Sequence, residues 1–258
     1  MTSMQTRRER AGQPGPWAEI ERAARATAMH EPALRTTLSA TVLSQRRPEH
    51  IVAALLSRQL ADPHDVAAVE TLVRDALGED PAIRPALEGD LAAVVARDPA
   101  CRSALQALLN LKGLHALQAH RVAHSLWRRG RLAAALWLAG RATAALGVDI
   151  HPAVPIGRGV VLDHASGVVI GETALIEDGV LILHGVTLGA TGKARGDRHP
   201  KVRRGALLGA GAKVLGNIEV GAMSRVGAGS VVLDPVPENC TVAGVPARIV
   251  RERMRMAA

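Results

Sequence analysis

The chain has 258 residues, 48% of them hydrophobic, with 32 Lys and Arg against 24 Asp and Glu for a formal charge of +8. Such length and apolar content supply one large or two ordinary cores and exclude a disordered chain, while the basic field favours anionic partners, phosphorylated small molecules as readily as nucleic acid. Phe and Tyr are absent and only Trp17, Trp127 and Trp137 remain, so the stacking rings of a nucleic-acid binder are missing and no nucleic-acid partner is expected.

The opening stretch, MTSMQTRRERAGQPGPW, lacks the apolar middle of a secretory signal. From Trp17 to about Val148 apolar residues recur at spacings of three and four, with abundant Ala, Leu, Arg and Glu. WAEIERAARATAM, PEHIVAALLSRQLA, DVAAVETLVRDALG, LEGDLAAVVARD and SALQALLNLKGLHALQAHRVAHSLWRRG all read as helices. Glu31-Pro32, Asp62-Pro63, Asp80-Pro81 and Asp98-Pro99 punctuate them, and an acidic cap with proline in the first turn predicts a helix start at each. Residues 1–148 are thus expected to form an all-α domain. The most apolar run, LAAALWLAGRATAALGV from Leu132, is broken by Arg141 and falls short of the ~20 residues a membrane crossing needs. Cys101 and Cys240 are too few for a disulfide framework or a thiolate zinc site. Together these features predict a cytoplasmic location without a membrane partner.

Near Asp149 the rhythm changes. Every sixth residue is aliphatic: Ile150, Ile156 and Leu162, then Ile170, Ile176, Ile182 and Leu188, then Val202, Leu208, Val214, Val220, Val226 and Val232. Residues two places earlier are mostly small or β-branched, and glycine follows the repeat position at 157, 171, 189, 209, 221 and 227. A period of six suits neither a helix nor an isolated strand. It suits a solenoid in which each hexad makes a short strand and a turn, three hexads close a triangular coil, and coils stack on one another. A β-sandwich would instead alternate at two with turns of variable length.

The register slips between Leu162 and Ile170 and again between Leu188 and Val202, each time by two residues beyond whole hexads. The second gap carries GATGKARGDRHPK, and a loop expelled from a regular solenoid is a place to expect function. At the first slip stand Asp163 and His164, with Asp149 one coil earlier, nearly over the neighbourhood of residue 167. An Asp one rung from a His can orient the imidazole while the ring removes a hydroxyl proton. Spacing alone leaves open whether these residues do so or are surface turn residues.

DIHPAVPIGRGVVLDHASGVVIGETALIEDGV, GVTLGATGKARGDRHPKVRRGALLGAGAKVLGNIEVG and AGVPARIV, with ARDPA and LKGLHALQAHRVAHSLW in the helical half, resemble the serine O-acetyltransferase family over roughly residues 98–251. The resemblance implies an α + β protein: an N-terminal all-α domain, 1–148, that joins trimers, followed by a C-terminal left-handed parallel β-helix of hexapeptide repeats, 149–258, with an extended loop at 189–201 and a short tail. It implies transfer of acetyl from the co-substrate acetyl-CoA to the hydroxyl of L-serine. The family's general base falls on His164 and its aspartate partner on Asp149. Asp98 and Asp163 match the groups holding the substrate ammonium, and Arg198 and His199 those holding its carboxylate; Asp98, before Pro99, also suits a helix cap. An amino-acid zwitterion wants that arrangement of charge. Acetyl-CoA is expected between adjacent subunits, along the backbone at Gly189, Ala190, Ala210 and Ala228, with Thr191 in the same loop and Lys193 toward the CoA phosphates. The family implies L-cysteine as feedback inhibitor and a homotrimer or dimer of trimers.

Two departures matter. Ala190 stands where members commonly have glycine, and the chain lacks the isoleucine tail by which many members bind cysteine synthase, so that partner is not expected. Three rival readings predict different chemistry. A hexapeptide-repeat transferase acting on homoserine, a sugar or an antibiotic would leave the paired charges without a purpose in the case of a neutral acceptor. A zinc β-helix would draw on His151, His164, His184 and His199, although no metal is expected on the favoured reading. A trimeric scaffold would release no thiol from acetyl-CoA. GATGK is not a phosphate-binding loop, because Thr187 and Ala194 stand where that motif needs glycine and a hydroxyl.

Overall fold

The computed structural model describes residues 16–193 and 195–252; the arginine-rich opening and the RMRMAA terminus lie outside them. The helical half comprises α1 (Pro16–His30), a 3-10 turn (Pro32–Leu34), the short α2 (Arg35–Leu38) running into a π turn (Ser39–Leu43), α3 (Pro48–Leu60), α4 (Val66–Glu79), α5 (Ile83–Arg97), α6 (Ala104–Asn110), α7 (Lys112–Arg128) and α8 (Leu132–Leu146). Glu31-Pro32 does open a helix, the 3-10 turn with Glu31 at its N-cap, but the three Asp-Pro pairs mark turns rather than N-caps. After Pro63, Pro81 and Pro99 the helices begin at Val66, Ile83 and Ala104. The reason is local: Asp80 and Asp98 accept from the backbone N–H two residues on, at Ala82 (3.1 Å) and Ala100 (2.8 Å), closing tight turns of their own. Ser103 is the true cap of α6, accepting from Gln106 N. The long apolar pattern from Ser103 to Gly130 splits at Leu111, whose extended backbone separates α6 from α7.

Gly147, in the left-handed conformation, ends α8, and β1 (Val148–Ile150) follows. Thirteen more strands, β2 to β14, build three faces. Face 1 stacks β1, β3 (Val168–Ile170), β6 (Thr187–Gly189), β9 (Lys213–Leu215) and β12 (Val231–Val232). Face 2 stacks β4 (Leu175–Ile176), β7 (Lys201–Val202) and β10 (Glu219–Val220). Face 3 stacks β2 (Val161–Asp163), β5 (Leu181–Leu183), β8 (Leu207–Leu208), β11 (Arg225–Val226) and β13 (Cys240–Gly244), closed by β14 (Ala247–Glu252). All pairings are parallel except β13 with β14. Of the thirteen repeat aliphatics only Ile156 is less than fully buried. The inner surface is narrow, and its close-packed Val, Ile and Leu supply the hydrophobic drive that bare hexads could not.

The register explains both slips. Coils repeat at 18 residues where they are regular (Leu207↔Arg225, Lys213↔Val231), at 20 across the first slip (Val148↔Val168, Val161↔Leu181) and at 26 across the second (Ile176↔Val202, Leu188↔Val214). The second loop is therefore a whole hexad plus two residues. Because the first slip lies inside its coil, Asp149 pairs with Val169 rather than lying over residue 167. The glycines also divide into two roles. Those after the repeat position allow close coil stacking: a Cβ on Gly209 would lie 2.6 Å from Ala228 N. Left-handed corners instead fall three places after the repeat, as at Gly185 (φ 68°).

Helix α7 joins the halves. Thirteen of its seventeen residues are buried, between the other helices and the first coil. Arg121 makes paired bonds to the buried Asp90 carboxylate (2.8 and 3.0 Å) and donates to the Ile156 and Gly157 carbonyls, while Asp90 also accepts from Val160 N. His120 Nε2 donates to Val154 O and His124 Nδ1 to Pro152 O. Burial pushes both imidazoles down, His120 to about 3. His120 is neutral when folded but titrates near 6.5 when unfolded, so its contribution is complete above pH 6.5 and lost as pH falls toward 3, and His124 acts in the same direction. Denaturant titrations should show the His120 contribution falling by up to about 1.4 kcal/mol per pH unit between pH 6.5 and 3. His120→Gln should flatten that slope, and equal slopes in both proteins would refute this origin.

Candidate active site

Hydrogen bonds align one corner of the triangle, where face 3 turns into face 1. Gly185 N donates to Ser166 O, Gly211 N to His184 O and Gly229 N to Ala210 O, each at 2.8 Å. Ser166, His184, Ala210 and, one coil on, Ala228 therefore form a column, and His164 stands at its foot. The His164 and His184 rings meet edge to face at 5.9 Å, and His164 Nε2 lies 3.9 Å from Asp163 Oδ1. The His164 side chain is 77% exposed in the protomer. Both His164 (φ 54°) and Ala165 (φ 60°) are left-handed, a costly conformation for residues with a Cβ. Two extra residues and a strained turn thus lift one imidazole out of the repeat.

The other end of face 1 carries the basic groups. Arg198 Nη2 donates to Glu172 Oε2 (2.7 Å), and this bond holds the Glu172 carboxyl below its usual range. His199 is buried, with its ring against Gly171, where a Cβ would lie 2.0 Å from Nε2. Thr173 organises the pair: its Oγ1 accepts from Arg198 N and His199 N, and its hydroxyl and N–H meet His199 Nδ1 at 2.8 and 3.2 Å. Nδ1 is thereby an acceptor, which leaves the proton on Nε2. Burial lowers the His199 pKa and keeps the ring neutral. Glu172 and Thr173 escape sequence reasoning because they point outward from a corner, where the repeat imposes no residue type.

The remaining residues fall in three places. Asp149 is exposed on face 1, one coil below Val169, and no hydrogen bond joins it to His164 among the described residues. Gly189 ends β6 on the same face, opposite Leu215, and Ala190, Thr191 and Lys193 lead into the expelled loop. Positive φ in that loop falls on Gly192 and Gly196, so Ala190 carries its methyl without strain. Asp98 lies in the turn after α5, beside Arg97, which bonds Gly179 O on the second coil. The four histidines do not converge: His151 packs on Trp127 and His199 on Thr173, away from the His164–His184 pair, and no three His, Cys, Asp or Glu side chains cluster among the described residues. The large concavity of 1130 Å³ between α7 and face 2 includes neither His164 nor Arg198 in its lining.

The three-sided parallel β-helix thus presents the exposed His164 imidazole at a corner, at the foot of the Ser166, His184, Ala210 and Ala228 column. A family model described as "Serine acetyltransferase, N-terminal" matches residues 17–119. Serine acetyltransferase of Salmonella typhimurium is 51% identical over 235 residues, 91% of this chain and 86% of that one. Among solved structures, soybean serine acetyltransferase complexed with serine has a TM-score of 0.88 at 49% identity, covering 91% of this chain and 97% of that one. The Brucella abortus enzyme in complex with coenzyme A has a TM-score of 0.90 at 47% identity, covering 92% and 95%. The chain belongs to the serine acetyltransferase family, and its β-helix is left-handed like theirs. No described helix is long and apolar enough to cross a membrane.

Proposed function

We infer that this chain transfers acetyl from acetyl-CoA to the hydroxyl of L-serine, giving O-acetylserine and CoA, with His164 as general base. The observation that carries the assignment is the two-residue insertion that presents the exposed His164 imidazole on a left-handed turn at the foot of the Ser166, His184, Ala210 and Ala228 column. The imidazole takes the serine hydroxyl proton as the oxygen attacks the thioester carbonyl carbon. When the carbon–sulfur bond breaks, the imidazolium returns the proton to the CoA thiolate. Asp149 supports the charged imidazole. Asp98 and Asp163 hold the serine ammonium, Arg198 and neutral His199 its carboxylate. Gly189, Ala190, Thr191, Ala210 and Ala228 supply a backbone track for the pantetheine arm, and Lys193 meets the CoA phosphates.

Within one protomer the two ends of face 1 are separated by roughly 10 Å of strand, too far for one serine to bridge. A three-fold assembly that sets the His164 corner of each protomer against the Arg198 corner of its neighbour completes the site and covers the exposed imidazole. Residues 1–148 would then join trimers, and 149–258 carry the chemistry. Sedimentation is expected to give a trimer or its dimer; an active monomer would refute the shared site.

Thiol release from acetyl-CoA, assayed with serine, homoserine, sugars and water, tests the function directly. Serine is expected to be the preferred acceptor, and release with no acceptor preference would overturn the reading. Because a solved relative binds cysteine, added L-cysteine should inhibit competitively with serine; unchanged rates at low serine would show that this control is absent here.

A further inference from the structure

The catalytic corner is gripped from outside the β-helix, by the first turn of α7. Gly113 packs on the strand that leads into the corner so closely that a Cβ there would lie 1.9 Å from Leu162 O. Immediately after the corner, Lys112 Nζ donates to the Ser166 hydroxyl. Residues 112 and 113 thus bracket Asp163, His164 and Ala165 on both sides. Lys201 pairs with a carboxylate, but the Lys112 ammonium is directed at a neutral hydroxyl, the one partner it has among the described residues. A hydrogen bond from a charged donor is directional and stronger than a neutral one, and here it fixes the position of the hydroxyl.

The corner needs fixing. The equivalent turns on the later coils are left-handed at single glycines, Gly185, Gly211 and Gly229, whereas here two consecutive residues with side chains hold that conformation. Such turns persist only where the surroundings over-determine them. Inside, the fully buried Ala165 methyl and the bonds Ala165 N to Asp163 O (2.6 Å) and Ser166 N to His164 O (2.8 Å) supply part of that constraint. Outside, Lys112 supplies the rest.

We propose that Lys112 is a positioning residue for the acetyl transfer: through the Ser166 hydroxyl it holds the left-handed turn that aims the His164 imidazole. The proposal rests on His164 as general base. The helical half then reaches the chemical centre, and does more than join subunits.

The test uses the full chain and steady-state kinetics for serine and acetyl-CoA. Lys112→Met and Ser166→Ala are each expected to lower kcat about tenfold with either KM changed by less than about twofold. The double variant should be no slower than the slower single one, because both changes break one contact. Lys112→Arg, which keeps a cationic donor, should recover most of the rate; an arginine variant as slow as Lys112→Met overturns the proposal. So does an unchanged kcat in Lys112→Met and Ser166→Ala, a loss confined to KM, or losses that multiply in the double variant. Should Lys112→Met fail to fold, Ser166→Ala carries the same decision, since Ser166 is exposed. His164→Asn separates the two levels: near-normal turnover there removes the base itself, while an inactive His164→Asn beside a fully active Lys112→Met removes only the positioning role.

Discussion

Replacing His164 with asparagine is expected to lower turnover by about 10²–10⁴-fold while leaving the fold intact. Asparagine preserves much of the side-chain volume and its hydrogen-bonding edge but cannot accept the serine proton. The site is exposed in the protomer, so the change removes no core packing and should leave the denaturation midpoint near that of the parent chain. Single-turnover measurements with saturating serine and acetyl-CoA would show the loss in the acetyl-transfer step. Near-normal turnover would move the base elsewhere, with His184, the ring beside it, the first alternative.

The second large effect is expected at Arg198. Arg198→Ala should raise the serine KM about 10–100-fold, the equivalent of one charged hydrogen-bonded contact, with acetyl-CoA requirements little changed. The reasoning begins from its present partner: Arg198 is held by Glu172, and its backbone, like that of His199, is held by Thr173. The guanidinium is therefore pre-oriented at the rim, and binding a carboxylate costs it little rotamer freedom. Lysine should not restore affinity, because a single ammonium lacks the planar fork. Equal increases in both KM values would argue against carboxylate recognition.

Much of the β-helix is legible in the sequence alone. The thirteen aliphatics at a period of six anticipate the inward ladder, and twelve of them are buried, because a narrow triangular interior admits little else. The two register slips likewise pointed to the two places where the chain leaves the repeat. Glycines were harder to read. Those after the repeat position are needed for contact between coils, and the left-handed corners lie elsewhere, a distinction that depends on the backbone of the next coil. In the helical half, Asp-Pro pairs suggested caps but closed turns of their own, and nothing at Leu111 announced the break between α6 and α7.

Local sequence thus determined the period, the inward-facing residues, the helical character of the first half and the chemical types available at the corners, since all of these follow from neighbours within a turn or a hexad. Only the tertiary structure decided which corners coincide. It put His164 and Arg198 at opposite ends of one face, set Glu172 and Thr173 behind the basic pair, and laid α7 against the turn that carries the imidazole. Those relations join residues that are tens of positions apart, through contacts whose strength depends on packing and burial rather than on spacing along the chain.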